Sequence, residues 1–165
     1  VDCAMKYVPS GIGKFFPNVE IFRIFNTSLA DIDKKDIGQF PKLQQLFIIR
    51  SDIDELRYDL FLFNQNISYI NIMYSKLQYI AHEIFDNLNQ LTTISLSENG
   101  CVSENWYDDS DLDYYMTKVL SNCSYPEFVH ANFHSKTDGN EYYEAQIMRY
   151  NERPQDEKDY ISGRQ

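Results

Sequence analysis

Apolar residues recur along this chain at a spacing that neither a helix nor a plain strand produces. Between Val19 and Cys101 the pattern repeats every 24 residues without insertion. With Val19, Leu43, Ile67 and Leu91 as first positions, the fourth are Phe22, Leu46, Ile70 and Ile94, and the sixth are Ile24, Ile48, Ile72 and Leu96. The eleventh are Leu29, Ile53, Leu77 and Cys101, and the fourteenth are Ile32, Leu56 and Ile80. Ile37, Phe61 and Phe85 hold position nineteen, and Phe40 and Leu88 hold position twenty-two, where Asn64 interrupts the column. An amphipathic helix would repeat every three or four residues, whereas positions 1, 4, 6, 9, 11 and 14 combine a strand core of period two with turns. The ninth positions, Thr27, Ser51, Ser75 and Asn99, are small and polar, suited to bonding the backbone where the chain leaves a strand. One such unit cannot bury its apolar edge alone, so successive units stack and stability comes from neighbouring interfaces.

This register resembles the extracellular leucine-rich-repeat family, whose motif reads LxxLxLxxNxLxxI, and the likeness covers about Val19 to Cys101. It is most similar to secreted insect leucine-rich-repeat proteins. Thr or Ser stands at three of the four motif Asn positions. The resemblance implies an α/β-type solenoid, a curved parallel sheet of four 24-residue repeats with a helical C-terminal cap. Cys3, Met5, Val8, Ile12 and Phe16 continue the register backward, so residues 1–18 read as a partial repeat and 1–101 as the repeat region.

The segment after Cys101 changes period. From Asp109 onward, Leu112, Tyr115, Met116, Val119 and Leu120 mark one apolar helical face, with an Asp-rich entry for capping and Lys118 near the other end. This helix can lid the last repeat as a cap over 102–125. Cys101 in the final core column and Cys123 just past the helix would pin that lid, worth about 3 kcal/mol. The arrangement is similar to caps of secreted insect members of the family and lacks the two additional cysteines of the common vertebrate cap. Cys3 lies roughly 19 Å from the cap at about 4.8 Å per strand, too far for a bond. It bonds a partner chain or an upstream cysteine, or it is a buried free thiol. Beyond the cap, residues 126–151 read as a β-hairpin turning near Asp138-Gly139, and 152–165 as a polar tail.

Charge and composition narrow the function. A formal charge of −10 argues against a nucleic-acid footprint, and no apolar run is long enough to insert into a membrane. No signal-like leader opens the chain, whose abrupt start at Val1 reads as processed or trimmed. Three sequons, at Asn26, Asn66 and Asn122, fit glycosylation of a secreted, extracellular protein. Asp109, Asp111 and Asp113 have calcium-loop spacing, but Tyr114 and Leu120 stand where such a loop needs Gly and Glu. His130 and His134 are four apart without a third metal ligand. With no nucleophile motif or phosphate loop either, the chain reads as non-enzymatic, with no cofactor and no metal.

Function should then lie on the concave face, where strand side chains between core positions project together. The first three repeats place Ile21, Arg23, Phe25, Phe47, Ile49, Arg50, Tyr69, Asn71, Met73 and Tyr74 there, while the fourth places Thr93, Ser95, Ser97 and Glu98. Aromatic residues, Met and Arg are the types enriched at interface centres. The reading is a secreted protein-binding module whose partner is a protein ligand or another subunit. The resemblance adds immune recognition or adhesion as the setting. Two alternatives stay open: a structural subunit of a self-associating extracellular assembly, homo- or hetero-oligomeric, and a face covered by the chain's own hairpin or tail.

Overall fold

The computed structural model describes residues 5–123. Cys3, His130, His134, the hairpin expected over 126–151 and the polar tail over 152–165 lie outside the described residues. In chain order the elements are a 3-10 turn at Ile12–Lys14, β1 (Ile21–Phe25), α1 (Lys34–Gly38), β2 (Gln45–Ile49) and β3 (Glu55–Leu56). There follow β4 (Tyr69–Met73), β5 (Tyr79–Ile80), β6 (Thr93–Ser95), β7 (Asn105–Tyr107) and α2 (Leu112–Cys123). The main sheet has the order β1-β2-β4-β6-β7. Its first four strands are parallel in unbroken register, with Ile21, Gln45, Tyr69 and Thr93 side by side. A parallel solenoid of about three turns results.

Each turn advances the chain by the sequence period, so every apolar column becomes a stack of like residues. Leu46, Ile70 and Ile94 are sealed from solvent in one column, Ile48, Ile72 and Leu96 in the next, and Ile32, Leu56 and Ile80 on the far side of the core. The phenylalanine positions stack as well, Phe61 against Phe85 with ring centroids 5.9 Å apart. Asn64, which breaks its column, is buried and donates its amide to the Phe40 carbonyl one turn back at 2.9 Å.

Strand exits are the most uniform feature of the turns. Asn26, Arg50, Tyr74 and Glu98, all at position eight, take left-handed backbone with φ of 54, 55, 53 and 57°. Such conformations cost about 1–2 kcal/mol for residues with a Cβ and persist only where the surroundings impose them. Here the next position imposes them. The Asn99 side chain accepts from Ser75 N at 3.0 Å and donates to the carbonyls of Ile72 and Leu96, and Ser51 N donates to the Ser75 hydroxyl. At Ser75 and Asn99 the polar ninth column thus takes up backbone groups that the sharp exit strands from the sheet, whereas the buried Ser51 hydroxyl has no hydrogen-bond partner.

On the side opposite the main sheet, Asp33 caps α1 with a reciprocal box, accepting from Lys35 N and Asp36 N while Asp36 accepts from Asp33 N. β3 and β5 pair in parallel with the same offset of one turn. Asp31, only 2% exposed, meets Arg57 at 3.1 Å, and Arg57 also donates to the Ile32 carbonyl. The ring of Phe63 lies where a Cβ on Gly38 would sit, 2.8 Å away, so glycine permits that close approach.

The C-terminal end is closed in a way the periodicity does not announce. β7 runs antiparallel to β6 and carries Trp106 inward, with its indole N–H on the Ser110 carbonyl at 3.0 Å. α2 begins after Asp111, whose carboxylate accepts from Tyr114 N at 3.1 Å. The acidic run therefore works as a helix cap. Cys101 and Cys123 form a disulfide with α-carbons 5.2 Å apart, fixing the end of α2 to the last turn.

Candidate functional site

The outward side of the main sheet, the concave side expected of such a solenoid, is built from the strand residues that alternate with the buried columns. Leu46, Ile48, Ile70 and Ile72 point into the core, so Gln45, Phe47, Ile49, Tyr69, Asn71 and Met73 must point outward, and each is partly exposed. In β1, Ile21, Arg23 and Phe25 are exposed, Ile21 to 46% and Phe25 to 52%. Tyr74 and Arg50, at the strand exits, are exposed too.

Regular strand pairing brings these residues into direct contact. Phe47 and Tyr69 stack with centroids 5.2 Å apart at 27°. The Arg23 guanidinium lies 4.5 Å above the Phe47 ring, and Arg50 lies 5.4 Å from the Tyr74 ring. Each Arg shares a column with the ring beneath it, Arg23 and Phe47 on adjacent strands and Arg50 and Tyr74 at adjacent strand exits, so the pairings follow from register. Such contacts contribute about 0.5–1 kcal/mol each at exposed sites, and they hold long side chains in one orientation before any partner arrives.

Asn71 sits amid this patch with its side-chain carbonyl oxygen buried and unpartnered. The patch ends at β6. Ser95 and Ser97 both donate to the Asn105 side-chain oxygen, at 2.6 and 3.0 Å. Their hydroxyls are already used, so the polar strand is a boundary and not a continuation. Asn105 was invisible as a functional neighbour, because it lies beyond the last repeat.

The three sequon residues fall in different settings. Asn66 is exposed on the connection into β4, beside a polar hollow shared with Lys42, Gln44 and Ser68. Asn26 is exposed at the exit of β1. Asn122 lies inside α2, next to the disulfide. Among the described residues, no three His, Cys, Asp or Glu gather to hold a metal, and no helix is long and apolar enough to cross a membrane.

No protein-family profile matches the chain, and no curated protein does either. The structure is similar to a chain of the Toll–Spatzle complex, a molecular hub in Drosophila development and innate immunity. That likeness has a TM-score of 0.52 and 21% identity over 57% of this chain and 12% of that one. The glycosylated form of the same complex gives 0.55 and 20% identity over 60% and 13%. This chain thus spans only 12–13% of the length of those chains. At such identity the likeness establishes the fold, a leucine-rich-repeat-like solenoid.

Proposed function

We propose that this chain is a non-catalytic, extracellular protein-binding module whose contact surface is the outward face of β1, β2 and β4. The observation that carries the reading is the continuous run Arg23–Phe47–Tyr69 beside Arg50–Tyr74, aromatic and cationic groups pre-positioned on an exposed sheet. Ile21, Phe25, Ile49, Asn71 and Met73 complete the contact surface. A soluble chain that leaves such a patch open has a use for it. The disulfide between Cys101 and Cys123 fits an oxidising compartment. The structural likeness to a chain of the Toll–Spatzle complex, a hub in development and innate immunity, supports a protein partner and an immune setting. Asn66 and Asn26 are the glycan acceptors in this reading, being exposed outside helices, and Asn122 is the poorer one. Intact-mass and glycopeptide analysis of the secreted chain would check that order.

A second reading rests on the edge of β1. Among the described residues no strand pairs with its outer side, and Ile21 and Phe25 on that strand are exposed, as is Phe16 on the segment before it. An open apolar edge invites strand addition, so the chain would be a subunit of a larger assembly.

Capture from extracellular fluid by the immobilised chain, with particle mass measured by light scattering, separates the two. For Phe47→Asp and Tyr69→Asp, the first reading expects loss of capture with particle mass retained. Unchanged capture would remove the face from consideration. A particle mass above that of one chain, unchanged by those two variants and lowered by Phe25→Asp on β1, would favour the assembly.

A further inference from the structure

Beyond the face itself, its two arginines say what the partner must bring. The chain holds 25 acidic and 15 basic side chains, so a cation on its surface has ready access to a carboxylate. Lys34 finds Asp59, Arg57 finds Asp31, Lys76 finds Asp52 and Lys118 finds Glu104. Arg23 and Arg50, like Lys14 and Lys42, make no ion pair among the described residues, but they differ from those lysines in lying against the aromatic rings of Phe47 and Tyr74, with no hydrogen bond from either guanidinium.

A stacked guanidinium keeps its N–H edges free, and that planar fork matches a carboxylate through two parallel hydrogen bonds. Any protein that covers the Phe47–Tyr69 stack must also cover Arg23 lying on it, and one that extends to Tyr74 must cover Arg50 as well. A neutral cover would leave desolvated charge unmatched, and a basic one would add repulsion. The arginines therefore work as a filter as much as a source of affinity. Polyanions are disfavoured, since two isolated cations on a chain of charge −10 do not make the clustered basic surface such ligands need.

We infer that the partner docks an apolar protein segment carrying two carboxylates, one for Arg23 in the middle of β1 and one for Arg50 just past the end of the neighbouring β2. This inference rests on the proposed contact face and adds the partner's chemistry to it.

The test is selection of a random peptide display library on the full, disulfide-bonded chain, repeated on Arg23→Gln/Arg50→Gln, Arg23→Glu/Arg50→Glu and Phe47→Asp. Expected are peptides with two acidic residues among Leu, Phe or Tyr, a loss of at least about tenfold in their affinity on the double Gln variant, and a switch to Lys- and Arg-bearing peptides on the double Glu variant. Circular dichroism should be unchanged in the Gln variant, which keeps the stems. A neutral pool, no pool, or the same pool on all the arginine variants would overturn the inference. So would arginine-dependent retention on heparin at physiological salt, which would make the ligand a sulfated glycan. If Phe47→Asp abolishes selection of a neutral pool, the contact face stands and only the carboxylate inference falls. If Phe47→Asp changes nothing, the contact face itself is wrong.

Discussion

Ser75 and Asn99, one turn apart, are joined by a hydrogen bond from the Ser75 backbone N–H to the Asn99 side-chain oxygen at 3.0 Å. Through it the last turn steadies the sharp strand exit of the turn before it. The Asn99 amide nitrogen holds two more carbonyls, Ile72 at 2.7 Å and Leu96 at 2.8 Å. Asn99→Ala removes all three bonds and leaves part-buried backbone groups without partners. The expected loss is about 2–3 kcal/mol, at roughly 1 kcal/mol per bond, read from the midpoint of a urea titration. Asn99→Ser, which copies the preceding two turns, should recover part of that loss. Equal loss in both variants would show that the side chain does not act through these bonds.

Reduction of the Cys101–Cys123 bond, which spans 22 residues of sequence, frees α2 from the last turn. The cap should loosen by about 3 kcal/mol, and hydrogen exchange should report this first in α2 and β7. Protection in β1 and β2 should change least, because a solenoid transmits stability only between neighbours.

Asp31 is sealed from solvent against Arg57 at 3.1 Å. Asp31→Ala takes a buried carboxylate away from that largely buried guanidinium, a loss of about 3 kcal/mol. Adding Arg57→Met should restore most of the stability, since the apolar replacement needs no partner. A double variant as unstable as the single one would mean that Asp31 acts through other contacts.

Tyr115 gives a pH signature for the cap. Burial of its phenol, with the negative charge of Glu104 adding to the effect, holds the pKa above the usual value of 10.0. The folded state thus favours the neutral phenol, so this contribution is fully present below pH 10 and is lost as pH rises beyond it. Thermal melts of wild type and Tyr115→Phe should diverge above about pH 10, the variant holding stability that the wild type loses. At neutral pH the variant should be equal or up to about 1 kcal/mol more stable, because the hydroxyl it removes is buried without a hydrogen-bond partner.

The 24-residue period is by itself enough to pair Ile21, Gln45, Tyr69 and Thr93 across four strands, because one period is one turn of the solenoid. Once that holds, the columns say which residues are buried and which share the outward face. The same columns place Arg23 over Phe47 and Arg50 beside Tyr74. The Cys101–Cys123 pairing was legible for a related reason, since an apolar helical face of fixed length separates the two cysteines.

Other features required the folded chain. β7 is three residues long, too short to show a period, and it becomes a strand only because β6 leaves an edge for Trp106 to cover. The left-handed exits fall on Asn26, Arg50, Tyr74 and Glu98, of which only Asn favours that backbone. Stacking imposes the conformation against local preference. The Asp31–Arg57 pair joins residues 26 apart, off the repeat by two, and so lies outside any column. Periodicity reports what every turn shares, whereas caps, strained exits and ion pairs between unlike positions depend on what each turn meets next to it.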